Sequence, residues 1–474
     1  MNRRTFARTG AAALVGAPLI LPRHVFGRGF LAPSDTVGLA AIGAGGMGAS
    51  NMAALTDQNV VAWADVDFAR VAESVRAPER AALKAKYDAA ARFTDFRRML
   101  DRHGRNIDAV VIATPDHVHA VAALTAMGMD KHVYVQKPLT YTVEEARALK
   151  RAAAARPRLV TQMGNQGHSG DDGRRVVEVV RSGVLGPIRE VLAWTDRPAR
   201  WWPQGIALAE ATTPPATAPE GLDWDSFLGP APAMPYTPGI HPFAWRGVVE
   251  FGVGALGDMG AHLLDFPFWA LEPGMPNRIE TRHTPWGGTR ARLEAGRPDT
   301  YPLGTVTTYH FDQRPALASA ETGPFKLTWF DGGLMPPTPR EAPAGFSLDA
   351  GGGVMFIGER GMLIHETYGE NPRFLPEGLA EDAARVPVSL PRIAGGIRGH
   401  EQNWIRAIRG EEPISSPFSY GADLNELMLL GLVAARAGEP ITYDAAAMRL
   451  PGTPDAERFL RRTYREGWAL PSVG

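Results

Sequence analysis

The chain contains no cysteine in 474 residues. That absence excludes a thiol nucleophile, a thiolate metal site and any disulfide, and a chain of this length needs no disulfide to be stable. Charge of one sign is also lacking: 50 Lys and Arg stand against 51 Asp and Glu, a net charge of −1. Such a balance leaves no basic footprint for nucleic acid. Nor is any apolar run long enough to cross a bilayer, so no stable membrane insertion is expected. What the chain has in quantity is glycine and proline, 52 and 40 residues, which imply many ordered loops. The remainder, 45% hydrophobic and 21% charged, is ordinary for a globular enzyme of two or three domains.

The N-terminus reads as an address. Asn2-Arg3-Arg4-Thr5-Phe6 precedes the short, mildly apolar run Ala11–Leu21. These are the n-region and h-region of an export signal, and the paired arginines point to the twin-arginine route. The expected consequences are a transient encounter with the Tat translocase and a periplasmic or otherwise exported location. Residues 1–33 are therefore set aside as a signal segment.

The first folded motif follows. Val37–Ile42 reads as a buried strand, Gly43-Ala44-Gly45-Gly46-Met47-Gly48 as a tight turn, and Ala49–Leu55 as a helix. Asn59–Ala64 is then a second strand, closed by Asp65. Strand, G-x-G-x-x-G turn, helix, strand and acidic residue make up a dinucleotide-binding β-α-β unit. Gly43 allows the turn, Gly45 lets a pyrophosphate approach the backbone, and Gly48 permits close helix packing. The helix start favours the phosphate charge. A carboxylate at 65 suits a ribose 2′-hydroxyl and repels a 2′-phosphate, which favours NAD over NADP. Neighbouring Asp67 reads as solvated or as a helix cap.

Alternation continues to about residue 163. Strand patterns at Ile107–Ala113, His132–Val135 and Leu159–Met163 interleave with helical ones at His117–Gly128 and Val143–Ala155. That builds a parallel sheet whose ligand cleft lies at the strand carboxyl ends. Thr114-Pro115-Asp116, Gln136-Lys137-Pro138 and Gly164-Asn165-Gln166 all fall at such ends. Beyond a helix at Asp172–Ser182 and a strand at Ile188–Thr195, the tract Pro203–Pro242 carries nine prolines and reads as an ordered loop over the cleft. Strand-like pieces at Thr305–Phe311, Phe325–Phe330, Gly353–Ile357 and Gly361–Glu366 suggest an open, mainly antiparallel sheet. His400–Ile408 and Ala422–Ala437 are helical. The expected fold is α/β: a Rossmann domain at 34–163, an α+β substrate domain at 164–395, and C-terminal helices at 396–474 packing back on the core.

Taken in order, four motifs resemble the Gfo/Idh/MocA family, which includes glucose–fructose oxidoreductase and inositol dehydrogenase. They are the glycine turn, Ala113-Thr-Pro-Asp-His-Val-His119, Val135-Gln-Lys-Pro-Leu139 and Gly257-Asp-Met-Gly-Ala-His-Leu-Leu-Asp265. The leader, Gly164-Asn-Gln166, Trp245-Arg246 and His400-x-x-Asn403-Trp404 are similar to the exported branch of that family. One departure stands out: the usual Glu-Lys-Pro is Gln136-Lys137-Pro138 here, so no carboxylate role can be carried over to 136.

The residues themselves suggest the chemistry. Lys137, partly desolvated beside a nicotinamide ring, is a candidate to bind a substrate hydroxyl and help remove its proton; a plain surface lysine is the alternative. Asp258, His262 and Asp265 have helical spacing and can share a face. His262 suits acid–base work near neutrality or is simply a satisfied buried histidine; Asp258 orients it, binds a sugar hydroxyl or caps a helix. The resemblance implies catalytic or substrate roles for Asp258 and His262. The expected cofactor contacts are Gly43, Gly45, Gly46, Met47, Gly48, Asp65, Thr114, Pro115, His119, Gln136, Lys137, Asn165, Gln166, Trp245 and Arg246. For His119 packing within its own domain is the stronger reading, and for Asn165 and Gln166 a turn role is open. Trp245-Arg246 is placed to close over the nicotinamide. Arg197, Trp201, Trp202 and His241 fit a carbohydrate site, though loop packing explains them equally. No metal is expected, since His117, His119 and the helical acids lack ligand spacing. The expected reaction is hydride exchange between tightly held NAD and a sugar-type hydroxyl. The alternative is a glycoside hydrolase that oxidises, eliminates and re-reduces with no net redox change. The resemblance implies a homo-oligomer, since relatives commonly bury the face of the open sheet between subunits.

Overall fold

The computed structural model describes residues 36–211, 216–312 and 324–472; the twin-arginine segment lies outside them. Six strands form the first sheet: β1 (Gly38–Ile42), β2 (Asn59–Ala64), β3 (Ala91–Phe93), β4 (Ala109–Ile112), β5 (His132–Gln136) and β6 (Thr161–Gly164). Their order is β3-β2-β1-β4-β5-β6, and every ladder is parallel. The order reverses between β1 and β4, so a crevice opens at their carboxyl ends. Both strands are buried at every residue. Helices therefore cover both faces, which is why Gly38-Leu-Ala-Ala-Ile42 shows no apolar–polar alternation.

Eight strands form the second sheet: β7 (Ile188–Thr195), β8 (Arg278–His283), β9 (Thr305–Phe311), β10 (Phe325–Phe330), β11 (Gly352–Gly358), β12 (Met362–His365), β13 (Arg373–Leu375) and β14 (Ile441–Thr442). They run β13-β12-β11-β7-β10-β9-β8-β14, antiparallel throughout except for the β7–β10 pair. Along β9 buried and partly exposed residues alternate, as one covered face requires. The cover is the long helix Phe418–Ala437, whose Gly431 carbonyl accepts from Thr281 Oγ1 at 3.0 Å. A Cβ at Gly431 would stand 2.4 Å from the Tyr309 hydroxyl, so the close approach requires glycine. Helix Gly254–Leu263 packs on the same long helix, with Gly260 against Met428.

Some expectations needed correction. Strands β3, β8, β13 and β14 were not foreseen, being very short or, in Arg278-Ile-Glu-Thr-Arg-His283, masked by charges. The tract Pro203–Pro242 is not irregular throughout: it holds helices Ile206–Ala211 and Trp224–Leu228. Asp223 caps the second by accepting from Ser226 N at 3.0 Å, and its own amide donates to Val66 O at 2.9 Å, pinning the tract to the end of β2. Helix His400–Ile408 returns to the first sheet, burying Trp404 and Ile405 with Leu39, Val111 and Tyr134.

Candidate active site

The glycines of the turn divide by environment. Gly43 has φ +78°, and a Cβ there would lie 2.6 Å from the backbone of Ala113; one on Gly48 would lie 1.9 Å from Gly43 O. These two are demanded by packing. Gly46 has nothing within 4 Å of a built Cβ, and Gly45 meets only Ser74 Oγ at 3.8 Å. The start of helix Gly46–Ala53, where N-cap Gly45 has no capping side chain and the Gly46 amide donates to Ser74 Oγ at 3.2 Å, thus faces a cleft of about 430 Å³ with no Cβ in the way. Such a helix start suits an anion.

Asp65 lines the same cleft, but its carboxylate is already engaged. Oδ2 accepts from the amides of Ala44 at 2.7 Å and Gly45 at 3.2 Å, and Oδ1 from Asp67 N at 2.9 Å. Burial raises its pKa, and those three amides oppose the rise. The residue expected to meet a ribose therefore also fastens the glycine turn to β2, a role the sequence spacing does not show. Asp67 caps helix Phe68–Val75 and pairs with His241 Nε2 at 2.9 Å. His241, expected at the sugar, lines the cleft with its ring held by Asp67.

Lys137 follows β5 directly and is not isolated in an apolar slot. Its Nζ donates to the Asp258 carbonyl at 2.8 Å and to Asp258 Oδ1 at 3.0 Å. Arg246 Nε reaches the same Oδ1 at 3.3 Å, and its guanidinium lies 4.3 Å from the centroids of both Phe243 and Trp245. Burial disfavours the Asp258 carboxylate, but Lys137 and Arg246 outweigh it and hold the group well below the ordinary range. One turn along helix Gly254–Leu263, His262 is 4% exposed, and its Nδ1 is buried with no hydrogen-bond partner. Burial, with Lys137 nearby, lowers its pKa to about 3, so the ring is neutral at ordinary pH. Asp265 does not share this face: the helix breaks before it, and its carboxylate binds His168 at 3.0 Å and Tyr420 at 2.6 Å.

Thr114, Pro115, Met47, Gln136, Trp245 and Arg246 line the cleft with Lys137 and Asp258. The expected contact from His119 is corrected: it is 1% exposed, with ring nitrogens 2.8 Å from the carbonyls of Pro138 and Thr114. It braces the two cleft segments from behind. Arg197 pairs with Asp196 at 2.6 Å and stacks 3.5 Å over Trp201, outside the cleft lining. Gln136 Nε2 donates to Asn51 Oδ1 at 3.0 Å, and Asn51 Nδ2 donates to Glu401 Oε1 at 2.7 Å. A buried carboxylate absent at 136 thus stands one amide away. Both side-chain polar atoms of Asn165, and Thr114 Oγ1, are buried without partners. Gln166 hydrogen-bonds Glu401, away from the cleft.

Three contributors were given no role by the sequence. Asp116 lies in the cleft 4% exposed, accepts from Val253 N at 3.1 Å, and is pushed up to about 7, chiefly by burial. Tyr368, in the turn after β12, meets His262 edge-on at 5.2 Å. Glu401 was an unassigned position within the His400 motif.

A parallel sheet with a glycine turn at its switch point, beside a cleft that carries Lys137 and Asp258 and followed by an open sheet, defines a two-part dinucleotide-binding oxidoreductase. The comparisons make that specific. Residues 37–163 match the oxidoreductase family, NAD-binding Rossmann fold, and residues 170–280 the matching C-terminal alpha/beta domain. The chain belongs to the Gfo/Idh/MocA family of NAD-binding oxidoreductases. A Glycosyl hydrolase family 109 protein of Saccharopolyspora erythraea is 30% identical over 210 residues, 40% of this chain and 44% of the relative. One from Solibacter usitatus is 28% identical over 197 residues, with the same shares. The chain thus matches under half the length of these relatives. The WlbA dehydrogenase of Bordetella pertussis, solved with NADH and UDP-GlcNAcA, superposes with TM-score 0.55 at 17% identity, covering 86% of this chain and 99% of that one. GenD2 from gentamicin A biosynthesis, solved with NAD, gives 0.55 at 17% identity over 86% and 97%. At such identities the likeness speaks for the fold.

Proposed function

We propose that this protein exchanges hydride between tightly held NAD and a ring hydroxyl of a sugar or sugar derivative. The observation that carries the reading is that Lys137, Asp258 and Arg246 line the same cleft as the glycine turn. The residues fit the cofactor: side-chain-free space over Gly45 and Gly46 for a pyrophosphate, and Thr114 Oγ1, buried without a partner in a residue of the cleft wall, as a site a ligand can complete. Bound NAD supplies a hydride acceptor. An ammonium has three donors, and Lys137 spends two on Asp258. The third is free to bind a substrate hydroxyl oxygen and steady the negative charge that develops as its proton leaves. His262, neutral with Nδ1 free, is a proton acceptor beside that group. The Asp65 carboxylate favours NAD over NADP.

A second reading has support from the names of the curated relatives: a glycosidase that uses its cofactor transiently. Incubating the purified protein with candidate glycosides and no added NAD separates the two. Many turnovers releasing free sugar favour the glycosidase; one stoichiometric reduction of cofactor favours the dehydrogenase. Turnover unaffected by Lys137→Ala and His262→Ala would overturn both.

The paired arginines at 3 and 4 support export in the folded state, with NAD loaded first. Retention for hours then requires a dissociation constant of roughly 10⁻¹⁰ M at ordinary association rates. Arg4→Lys with Arg3→Lys should abolish export of a reporter fusion; unchanged export would refute the assignment. The open sheet supports a homo-oligomer, which light scattering of the purified chain would test by excluding or finding a monomer.

A further inference from the structure

A second cavity, about 970 Å³, opens away from the glycine turn. Its walls come from the segment after Lys137, the loop leading into helix Gly254–Leu263, helix Phe418–Ala437 and the C-terminal stretch after Leu450. Arg292, Arg297, Arg436, Arg458, Arg461 and Arg462 line it, against only two carboxylates, Glu250 and Asp299. Asp299 is committed to Arg292 at 2.6 Å, and Arg461 is satisfied from outside the cavity by Glu144 at 3.0 Å.

The floor is short of hydrogen-bond acceptors, even though the buried Glu145 carboxylate stands near Arg462. Arg436 and Arg462 are half-buried, and Arg436 Nε, Arg462 Nε and Arg462 Nη1 are buried with no hydrogen-bond partner. Ring faces hold both guanidinium groups in place: Arg462 lies 4.5 Å from the Tyr141 centroid and Arg436 4.3 Å from that of Phe459. Arg458, at the exposed rim, lies 4.8 Å from the centroid of the same ring. Buried donors without acceptors are costly, and clustered guanidinium groups repel one another. A carboxylate or phosphate group offers both the acceptors and the countercharge, with paired oxygens that an arginine fork matches.

We propose that this cavity binds an anionic small molecule carrying two or more carboxylate or phosphate groups, at a site separate from the dinucleotide cleft. Its size suits a ligand as large as a disaccharide. The site also touches the catalytic segments. Tyr141 stands four residues after Lys137 and donates its hydroxyl to Val249 O, and Val253, in the wall, holds Asp116 by its amide.

The test is calorimetric titration of the NAD-loaded protein at physiological ionic strength, with inorganic pyrophosphate in one arm and digalacturonate in the other. Saturable binding of either probe, weakened about ten-fold or more by Arg436→Met and by Arg462→Met, is the expected result. The arm that saturates identifies phosphate or acidic sugar as the source of the charge. Arg458→Gln, at the exposed rim, gives a variant whose folding is secure and should weaken the same probe. Absence of saturable binding in both arms overturns the proposal. So does binding unchanged in the arginine variants, which would place the probe in the dinucleotide cleft.

Discussion

Lys137 and Asp258, from different sheets' neighbourhoods, are joined twice: the ammonium donates to the aspartate's main-chain carbonyl at 2.8 Å and to its carboxylate at 3.0 Å. The main-chain contact fixes where Nζ sits, and the carboxylate contact sets its charge environment. Asp258→Asn keeps an oxygen at Oδ1 and so keeps the geometry, while removing the charge. Turnover should fall by about 10²–10⁴-fold, the usual range for losing an acid–base group, with NAD binding by fluorescence unchanged. Turnover within a few-fold of the parent would detach Asp258 from the chemistry.

Stability should depend on pH in two opposite ways. Burial holds His117, His262 and His400 at about 3 and His119 and His365 at about 4, against 6.5 in the unfolded chain. Stability from these groups is present above 6.5 and lost as pH falls through the folded values, because the unfolded chain takes up protons first. Urea titrations at successively lower pH should show a slope of up to about 1.4 kcal/mol per pH unit for each histidine in play. Asp116 runs the other way. Its pKa rises from 3.8 to about 7, so burial costs nothing below 3.8 and most above 7. Asp116→Asn should raise Tm increasingly across that window and level off above it; a constant difference would contradict the assignment.

Two glycines of one turn should behave differently. Gly46→Ala meets open space and pays only for φ +49°, about 1–2 kcal/mol. Gly48→Ala drives a methyl to 1.9 Å from Gly43 O, so the helix must leave the strand. Purified Gly48→Ala should retain no NAD, whereas Gly46→Ala should fold and retain a measurable fraction. Both can be read by mass spectrometry of what denaturation releases.

Gln136→Glu restores the family's usual residue but sets a second carboxylate on Asn51, opposite Glu401, whose pKa burial already raises. A loss of about 1–3 kcal/mol is expected, shrinking at acid pH where one carboxyl is protonated. Gain of stability at neutral pH would refute the compensation between 136 and 401.

How far the sequence reaches is clear from particular residues. The parallel sheet was legible because Val37–Ile42 and Ile107–Ala113 are apolar without interruption and each ends at a motif. Strands β9 and β10 were legible from length and alternation, but β13 and β14, three and two residues long, leave no periodic trace. Lys137, Asp258 and the glycine turn could be named from motif and spacing. Tyr368 and the arginine cavity could not, since they depend on where loops distant in sequence come to rest, and Asp116 could be placed at the cleft but not its burial. His119 packs between two backbone carbonyls, the stronger of its two readings, whereas nothing in the sequence shows that Asp67 holds the His241 ring at the cleft.

The central claim is that Lys137 brings a sugar hydroxyl to the cofactor held by the glycine turn. Mixing the purified holoprotein with a panel of sugars and glycosides, while following the absorbance of reduced nicotinamide, tests it most directly in the parent and in Lys137→Met. The account predicts a transient or stable reduction signal in the parent, and a signal at least about 100-fold slower in Lys137→Met with cofactor content unchanged. Equal reduction rates in the two proteins, at equal cofactor content, would contradict it.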